Sequence, residues 1–283
     1  MSPLASFDDT IVVPDWPAPA RVRAAVTTRL VRGASSSPFD AFNLGAQCGD
    51  DPVAVMANRA ALARLLGLPG EPRWLRQIHG TDVAVFGAEA THSDPRDADA
   101  SVTRAPGVVL AVLTADCLPL LVCADNGSEI AAIHAGWRGL AVGVIERAIE
   151  RLDAPREKLL VWLGPAIGAD SYEVGAEVRE AFVAQSEQNA DAFAATRPGH
   201  WHCDLYALAR RRLAALGITH VYGGGFDTYS DARFYSYRRA AHTGRFASLI
   251  WTTGRDAPYA ELLGGAGAPK ILTGGKIIPA VFG

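Results

Sequence analysis

Three short segments of the chain each carry a side chain that can bind a metal ion. They are RQIHG with His79, TADCLP with Cys117 and IHAGWRG with His134. These residues lie 38 positions (117 minus 79) and 17 positions (134 minus 117) apart, which is too wide for a local zinc finger. Ligands spread over several strands are typical of a catalytic metal. We therefore expect one Zn²⁺ per chain, held by these three residues with a fourth position open, and expect the same three residues to be catalytic.

The same side chains are compatible with other chemistry. Cys117 would serve as the nucleophile of a cysteine hydrolase, with His79 or His134 as its base. Two histidines and one cysteine also describe a blue-copper centre. The usual axial methionine of that centre has no obvious candidate, because Met1 and Met56 are far from the cluster in sequence. A histidine or cysteine at a strand end is also commonly an ordinary packed residue. Residue types alone therefore leave zinc and these alternatives open.

Residues near these ligands could handle protons and phosphate. Asp116 adjoins Cys117, and we predict that it carries a proton, supports a ligand or simply forms a turn. In IHAGWRGLAVG a strand turns into a helix, whose first backbone N–H groups are free to bind an anion. Arg138 lies at that start. Together with Arg29 and Arg238 it is a candidate for bidentate phosphate contact, although each arginine alone is compatible with a surface charge.

Composition and charge limit the class of protein. The chain has 283 residues, of which 49% are hydrophobic and 20% charged, as in an ordinary globular protein. Its formal net charge of -3 gives no reason to expect nucleic acid as a partner. No apolar run reaches the ~20 residues of a membrane span, and the N-terminus does not read as a secretory signal. We therefore expect a cytoplasmic protein in which all the cysteines are reduced thiols: Cys48, Cys117, Cys123 and Cys203.

The elements that position these residues are predicted from hydrophobic periodicity and from Gly, Asp and Pro punctuation. Helices are expected over residues 52–66, 139–152, 174–185 and 205–216. Strands are expected over residues 23–28, 73–78, 83–86, 108–114, 119–123, 130–134, 159–163, 221–222 and 247–251. The pattern predicts a single α+β domain with a mixed β-sheet core and flanking helices over residues 21–252. An irregular lead-in, residues 1–20, precedes it, and a Gly/Ala-rich tail, residues 253–283, follows it.

A series of stretches, in the same order over roughly residues 23–251, matches one known family. They are TTR, NLGAQCGDDP, RQIHG, DADASVT, LTADCLPLL, IAAIHAGWRGL, LGPAIGADSYEVG, DLYALARRRL, FYSYRR and TGRFASLI. Through them the chain resembles the YfiH family, whose members are named both as laccase-domain or multicopper polyphenol oxidases and as zinc-dependent purine nucleoside phosphorylases.

The resemblance implies a YfiH-like fold in which His79, Cys117 and His134 are the zinc ligands. It implies that purine nucleosides and phosphate are the substrates, for phosphorolysis of adenosine, inosine, guanosine and methylthioadenosine and for deamination of adenosine. Asn43, in the NLGAQCGDDP stretch, is predicted to bind substrate. A copper-dependent polyphenol oxidase is the second interpretation, a Cys117 hydrolase the third and a non-catalytic binding module the fourth. We expect a monomer or a homodimer.

Two positions depart from the family pattern. Gln47 stands where the family often has histidine, so hydrogen bonding is kept and proton transfer is lost. Asp227-Thr228 stands where the family often has Cys-Thr. Both changes bear on the balance between phosphorolysis and deamination, and neither affects the three predicted metal ligands.

Overall fold

The computed structural model of the chain describes residues 9–88 and 95–254. Within these ranges the α-helices are α1 (Pro52–Leu66), α2 (Trp137–Val142), α3 (Val144–Ile149), α4 (Ala176–Val183) and α5 (Leu205–Ala215). The strands are β1 (Ile11–Val12), β2 (Val22–Thr27), β3 (Leu75–Arg76), β4 (Val83–Phe86), β5 (Arg96–Asp97), β6 (Ala100–Thr103), β7 (Val109–Thr114), β8 (Leu118–Ala124), β9 (Ile130–Ala135), β10 (Leu159–Leu163), β11 (Glu173–Gly175), β12 (Phe193–Ala195), β13 (His200–Cys203), β14 (His220–Gly223) and β15 (Phe246–Thr252). Short 3₁₀ turns lie at Arg156–Lys158, Ala169–Ser171 and Glu187–Ala192.

Two larger sheets form the centre of the fold. The four-stranded sheet has the order β1-β2-β15-β7 and is antiparallel throughout. The six-stranded sheet has the order β14-β10-β8-β9-β6-β4 and is mixed, because β14 and β4 run parallel to their neighbours while the inner pairs are antiparallel. Two smaller sheets, β11-β13-β12 and β3-β5, lie outside them. The predicted α+β class with a mixed sheet is confirmed.

The two large sheets pack face to face. Alternate residues of each strand point to opposite faces of its sheet, so a strand that is apolar on both faces can pack against two layers at once. In β8, Leu120 and Val122 pack with α2, α3, α4 and α5, whereas Leu121 and Cys123 face the other way and pack against the four-stranded sheet. The far side of the four-stranded sheet packs against α1. The order of layers is therefore helices, six-stranded sheet, four-stranded sheet and α1. Because the central strands are buried on both faces, their sequences are apolar at nearly every position.

Helix α1 has the predicted bounds because its end signals agree with its periodicity. The Asp51 side chain accepts a hydrogen bond from the Val53 N–H at 2.9 Å, and Gly67 ends the helix with φ of 57°. The helix predicted over 139–152 is corrected by the structure. It consists of α2 and α3, separated by Gly143 with φ of 99°, a left-handed conformation that interrupts the helix.

Three further expectations differ from the structure. The strand expected over 73–78 is reduced to β3, because the chain turns at residues 77–80. The start of the helix expected over 174–185 is taken by β11, so that α4 begins at Ala176. In the predicted irregular lead-in, β1 pairs with β2. Residues 1–8 of that lead-in and 255–283 of the predicted tail lie outside the described residues. No helix in the described part of the chain is long and apolar enough to cross a membrane.

Candidate metal centre

The three predicted ligands come together at one end of the six-stranded sheet. His134 lies in β9, Cys117 lies in the turn between β7 and β8, and His79 follows β3. Their ligand atoms all lie within 4.8 Å of one another, and Cys117 Sγ is 3.8 Å from His79 Nε2. The pairing of β8 with β9 places Leu118 opposite Ala135, which brings the turn that carries Cys117 next to His134. The group could hold a metal ion.

The buried side chain of Asp99 is in contact with both histidine segments. Asp99 is 0% exposed, and its Oδ1 lies 2.8 Å from His134 Nδ1. Its carboxylate also accepts hydrogen bonds from three consecutive backbone N–H groups, those of Ile78 (3.2 Å), His79 (2.9 Å) and Gly80 (2.6 Å). An ionised carboxylate can only accept, so Nδ1 of His134 carries a proton, and Nε2 is the nitrogen that remains for a metal.

His79 adopts a backbone conformation that is unusual for its residue type. Its φ is +59°, in the left-handed region, which costs a non-glycine residue about 1–2 kcal/mol. The hydrogen bonds to Asp99 fix this turn. The His79 side chain is exposed, whereas His134 is only 3% exposed. Cys117 is half-buried, so the group is open on the side of His79.

The electrostatics of the cluster favour a thiolate at Cys117. Burial by itself would raise the pKa of Cys117, but the charge and hydrogen bonds of His134 and His79 lower that pKa well below its usual range. Burial would likewise lower the pKa of His134, but the neighbouring thiolate and Asp99 raise it. A thiolate is the form of cysteine that binds metal ions.

Two glycines after His134 allow the ligands to approach one another. A Cβ on Gly136 would lie 2.8 Å from His79 Cδ2 and 3.1 Å from Cys117 Sγ. A Cβ on Gly139 would lie 2.8 Å from the Gly80 carbonyl oxygen. Both contacts are too short for a side chain, so glycine at these positions is required by the close packing of the turn around the cluster.

Asp116 is held by hydrogen bonds at both carboxylate oxygens. Oδ1 accepts a hydrogen bond from the Thr228 hydroxyl at 2.7 Å, and Oδ2 accepts one from the backbone N–H of Arg238 at 2.6 Å. Its φ is +94°, and its carbonyl accepts the N–H of Ile167 at 3.0 Å. Of the roles predicted for Asp116, these contacts favour support of the turn that presents Cys117.

The three candidate ligands line a cleft of about 590 Å³. Four arginines line it: Arg59, Arg138, Arg238 and Arg245. None of these four forms a salt bridge with a carboxylate in the described part of the chain. Aromatic side chains line the same cleft: Trp74, Trp137, Tyr172 and Tyr237. A cationic, partly aromatic cleft in a protein of net negative charge suits an anionic ligand together with a planar ring.

Two of the predicted phosphate-binding arginines lie at the cleft. The Arg238 guanidinium lies over the Tyr172 ring, 5.1 Å from its centroid, and Nη1 donates to the Glu173 carbonyl at 2.7 Å. The Arg138 guanidinium lies 4.6 Å from the centroid of the Trp137 ring. Both arginines are exposed and retain free N–H groups that can reach an anion in the cleft.

Arg29 and Asn43 are predicted to bind substrate, but neither lines the cleft. Arg29 Nη2 forms a salt bridge with Asp40 at 3.1 Å, and its guanidinium lies over the Tyr235 ring. Asn43 is buried, and its Oδ1 accepts the N–H groups of Gly45 and Arg245 at 2.9 and 2.8 Å. The structure therefore does not bring either residue to the cleft wall. Asn43 instead stabilises the loop that carries Gly45, and Gly45 lines the cleft.

The two departures from the family pattern lie in different places. Gln47 is exposed and lines the cleft. Asp227 does not line it; Oδ1 accepts the Gly168 N–H at 2.8 Å, and Oδ2 accepts the Ser171 hydroxyl at 2.6 Å. Asp227 therefore ties two loops together, and of the two departures only Gln47 is placed to contact a ligand.

Sequence reasoning did not single out several residues of the site. Asp99 stands inside the quoted DADASVT stretch, and Arg245 inside TGRFASLI, but neither received a role. A carboxylate directly before a buried strand, Ala100–Thr103, was the available signal for Asp99. Arg59 offered no such signal, because it lies on α1 like many solvated arginines.

Known proteins resemble the chain in sequence and in fold. A family model described as multi-copper polyphenol oxidoreductase laccase matches residues 23–253. A purine nucleoside phosphorylase of Pseudomonas aeruginosa is 54% identical over 85% of this chain and 97% of its own length. The purine nucleoside phosphorylase YfiH of Escherichia coli is 47% identical over 85% of this chain and 98% of its own length. The crystal structure of a Neisseria meningitidis protein superposes with a TM-score of 0.82 and 46% identity, covering 87% of this chain and 100% of that one.

Proposed function

The chain belongs to the YfiH family, the family described as multi-copper polyphenol oxidoreductase laccase, and we propose that it is a zinc-dependent purine nucleoside phosphorylase. The observation that carries the proposal is that the His79, Cys117 and His134 cluster lies in the same cleft as four arginines without a salt bridge in the described ranges. Such a cleft would hold phosphate beside the nucleoside. The names of its relatives support the same activity.

The donor set fits zinc better than copper. Two imidazoles and one thiolate, with an open side, are a zinc ligand set, and the Asp99 contact leaves His134 Nε2 available. A blue-copper centre usually adds a weak axial methionine. Met56 is 70% exposed and does not line the cleft, and Met1 lies outside the described residues. A single His/Cys group in residues 9–88 and 95–254 also gives little support to a multicopper centre.

The proposed reaction transfers a ribosyl group from the purine to phosphate. An oxygen of hydrogen phosphate bonds to C1′ of the ribose as the bond from C1′ to the purine nitrogen breaks, and the proton that the phosphate gives up goes to the leaving base. Bound zinc supplies a positive charge that stabilises negative charge in the site. Arg138 and Arg238 bind and orient phosphate through charge-assisted hydrogen bonds. Burial raises the pKa of Tyr172, so its hydroxyl at the cleft wall keeps its proton and can donate a hydrogen bond.

We further infer a set of finer assignments for the same site. Adenosine, inosine, guanosine and methylthioadenosine are the proposed nucleosides, and deamination of adenosine to inosine is a proposed second activity, in which water supplies the oxygen and ammonia leaves. The catalytic domain is proposed to be residues 21–252, since every residue of the site falls within it. A cytoplasmic location and a monomeric or homodimeric state complete the proposal.

Incubation with inosine, with and without phosphate, tests the reaction when products are read by chromatography. The proposal expects free base and ribose 1-phosphate only when phosphate is present. Base released equally well without phosphate would contradict it. A chelated protein should lose activity and regain it with zinc. Oxidation of a phenol after copper loading would favour the oxidase, and activity that survives chelation but not thiol alkylation would favour the Cys117 hydrolase.

A further inference from the structure

One buried carboxylate links two of the three metal-ligand segments. Asp99 lies between β5 and β6, and among the described residues no lysine or arginine forms a salt bridge with it. It contacts the imidazole of His134 and the backbone of the turn that carries His79. We propose that Asp99 is a positioning residue that sets the geometry of both histidine ligands at once. The inference rests on the proposed metal site, but not on the proposed reaction.

On the His134 side, the contact decides which ring nitrogen can bind metal. The distance from Oδ1 to Nδ1 is 2.8 Å, and both groups are buried. The backbone gives a second link, because the His134 N–H donates to the Asp99 carbonyl at 2.7 Å. The ring therefore has one strongly favoured orientation, with Nε2 directed toward the cluster. An asparagine at position 99 could instead turn its NH₂ group toward Nδ1, which would leave the proton on Nε2.

On the His79 side, the carboxylate holds the turn. The N–H groups of Ile78, His79 and Gly80 converge on it at 3.2, 2.9 and 2.6 Å, so the left-handed residue lies in the middle of three hydrogen bonds to one side chain. Consecutive N–H groups that point into one concavity form an anion site, and here the anion is part of the protein. A neutral amide would satisfy this arrangement less well, because it has only one acceptor oxygen.

Cys117 is supported separately. Its turn is fixed by Asp116, which accepts from Thr228 and Arg238 and has no hydrogen bond to Asp99. Loss of Asp99 should therefore disturb histidine ligation while the thiolate remains in place. This division predicts a spectroscopic pattern that a general loss of folding would not produce.

The test is Asp99→Asn in the full chain, with metal affinity measured by competition against a coloured chelator. The dissociation constant for zinc should rise about 10–100-fold, the range found when partners of metal-binding histidines are removed. With cobalt in place of zinc, the thiolate-to-metal charge-transfer band should persist at saturation, while the ligand-field bands weaken and shift. The matched control is Asp97→Asn, two residues away, where a surface carboxylate pairs with Arg76. It should change affinity less than about twofold.

An Asp99→Asn protein with wild-type zinc affinity and an unchanged cobalt spectrum would overturn the proposal, whatever its phosphorolysis rate. If the variant does not fold, nitrogen NMR of zinc-loaded wild-type protein labelled in histidine gives the answer. His134 should then carry a proton on Nδ1 and metal on Nε2. Metal bound through Nδ1 would equally overturn the proposal.

Discussion

Gly136→Ala should weaken zinc binding without unfolding the protein. Gly136 has φ of -65° and ψ of 158°, which alanine adopts without strain, so the effect of the substitution is steric. The added methyl carbon would lie 2.8 Å from His79 Cδ2 and 3.1 Å from Cys117 Sγ. Both neighbours are proposed metal ligands, and neither belongs to the apolar core.

The size of the effect follows from these distances. Carbon atoms in contact lie about 3.5 Å apart. The His79 ring must therefore move by about 0.7 Å, the difference between 3.5 and 2.8 Å. Metal–ligand distances tolerate only about 0.2 Å. A misplacement of about 1 Å costs roughly 100-fold in rate. We expect kcat/KM to fall about 100-fold, which corresponds to about 2.7 kcal/mol. Because the His79 side chain is exposed, it can swing outward, so the fold should lose less than the ~1–3 kcal/mol of an overpacked core.

Two measurements on Gly136→Ala distinguish an effect on the metal site from an effect on the stability of the fold. Zinc affinity should fall together with phosphorolysis, while the melting temperature of the metal-free protein should remain close to that of the wild type. Gly87→Ala is the matched control, because a Cβ there meets nothing within 4 Å, and it should resemble the wild type in both measurements. A Gly136→Ala enzyme with wild-type zinc affinity and turnover would refute the proposed positions of His79 and Cys117.

Two further substitutions test the cleft and a loop outside it. Arg238→Gln should raise the KM for phosphate roughly 10–100-fold, because a hydrogen bond to a charged group contributes about 1.5–3 kcal/mol. The KM for inosine should change little. Steady-state kinetics with each substrate varied in turn measures both constants, and an unchanged KM for phosphate would contradict the prediction. Asp227→Asn should lower the melting temperature at pH 7 by the equivalent of about 1 kcal/mol at most, because partial exposure screens the charge. Burial opposes ionisation of Asp227, but hydrogen bonds from Ser171 and Gly168 lower its pKa, so this stability is present above the unfolded pKa of about 3.9 and is lost as pH falls through the folded value. The difference in melting temperature between the two proteins should narrow as the pH falls below about 3.9, and a difference that stays constant would argue against an ionised Asp227.

The sequence predicts the bounds of a helix correctly where the residues at its two ends favour starting and stopping it. Helix α1 is predicted over its full length because Asp51, Pro52 and Gly67 are all end signals. The interruption at Gly143 was missed because glycine inside an apolar stripe is compatible with a continuous helix until its φ is known. The three candidate metal ligands were selected from residue type and spacing, and the structure brings them together. Their convergence depends on the pairing of β8 with β9, which the sequence does not specify.

Contacts over long sequence distances explain what the sequence did not reveal. Asp99 is 20 residues from His79 and 35 from His134, and it reaches both because β6 pairs with β9. Arg29 and Asn43 lie in matched stretches but do not line the cleft, and residue type alone does not reveal this. Such assignments require the tertiary structure.

The central claim is that one metal ion, bound by His79, Cys117 and His134, supports phosphate-dependent cleavage of purine nucleosides. Titration of zinc into metal-free protein, with release of free base from inosine followed in the presence of phosphate, tests it most directly. Activity should rise in proportion to added zinc and reach a plateau at one ion per chain. Full activity in the metal-free protein, or activity that appears only with copper, would contradict the account.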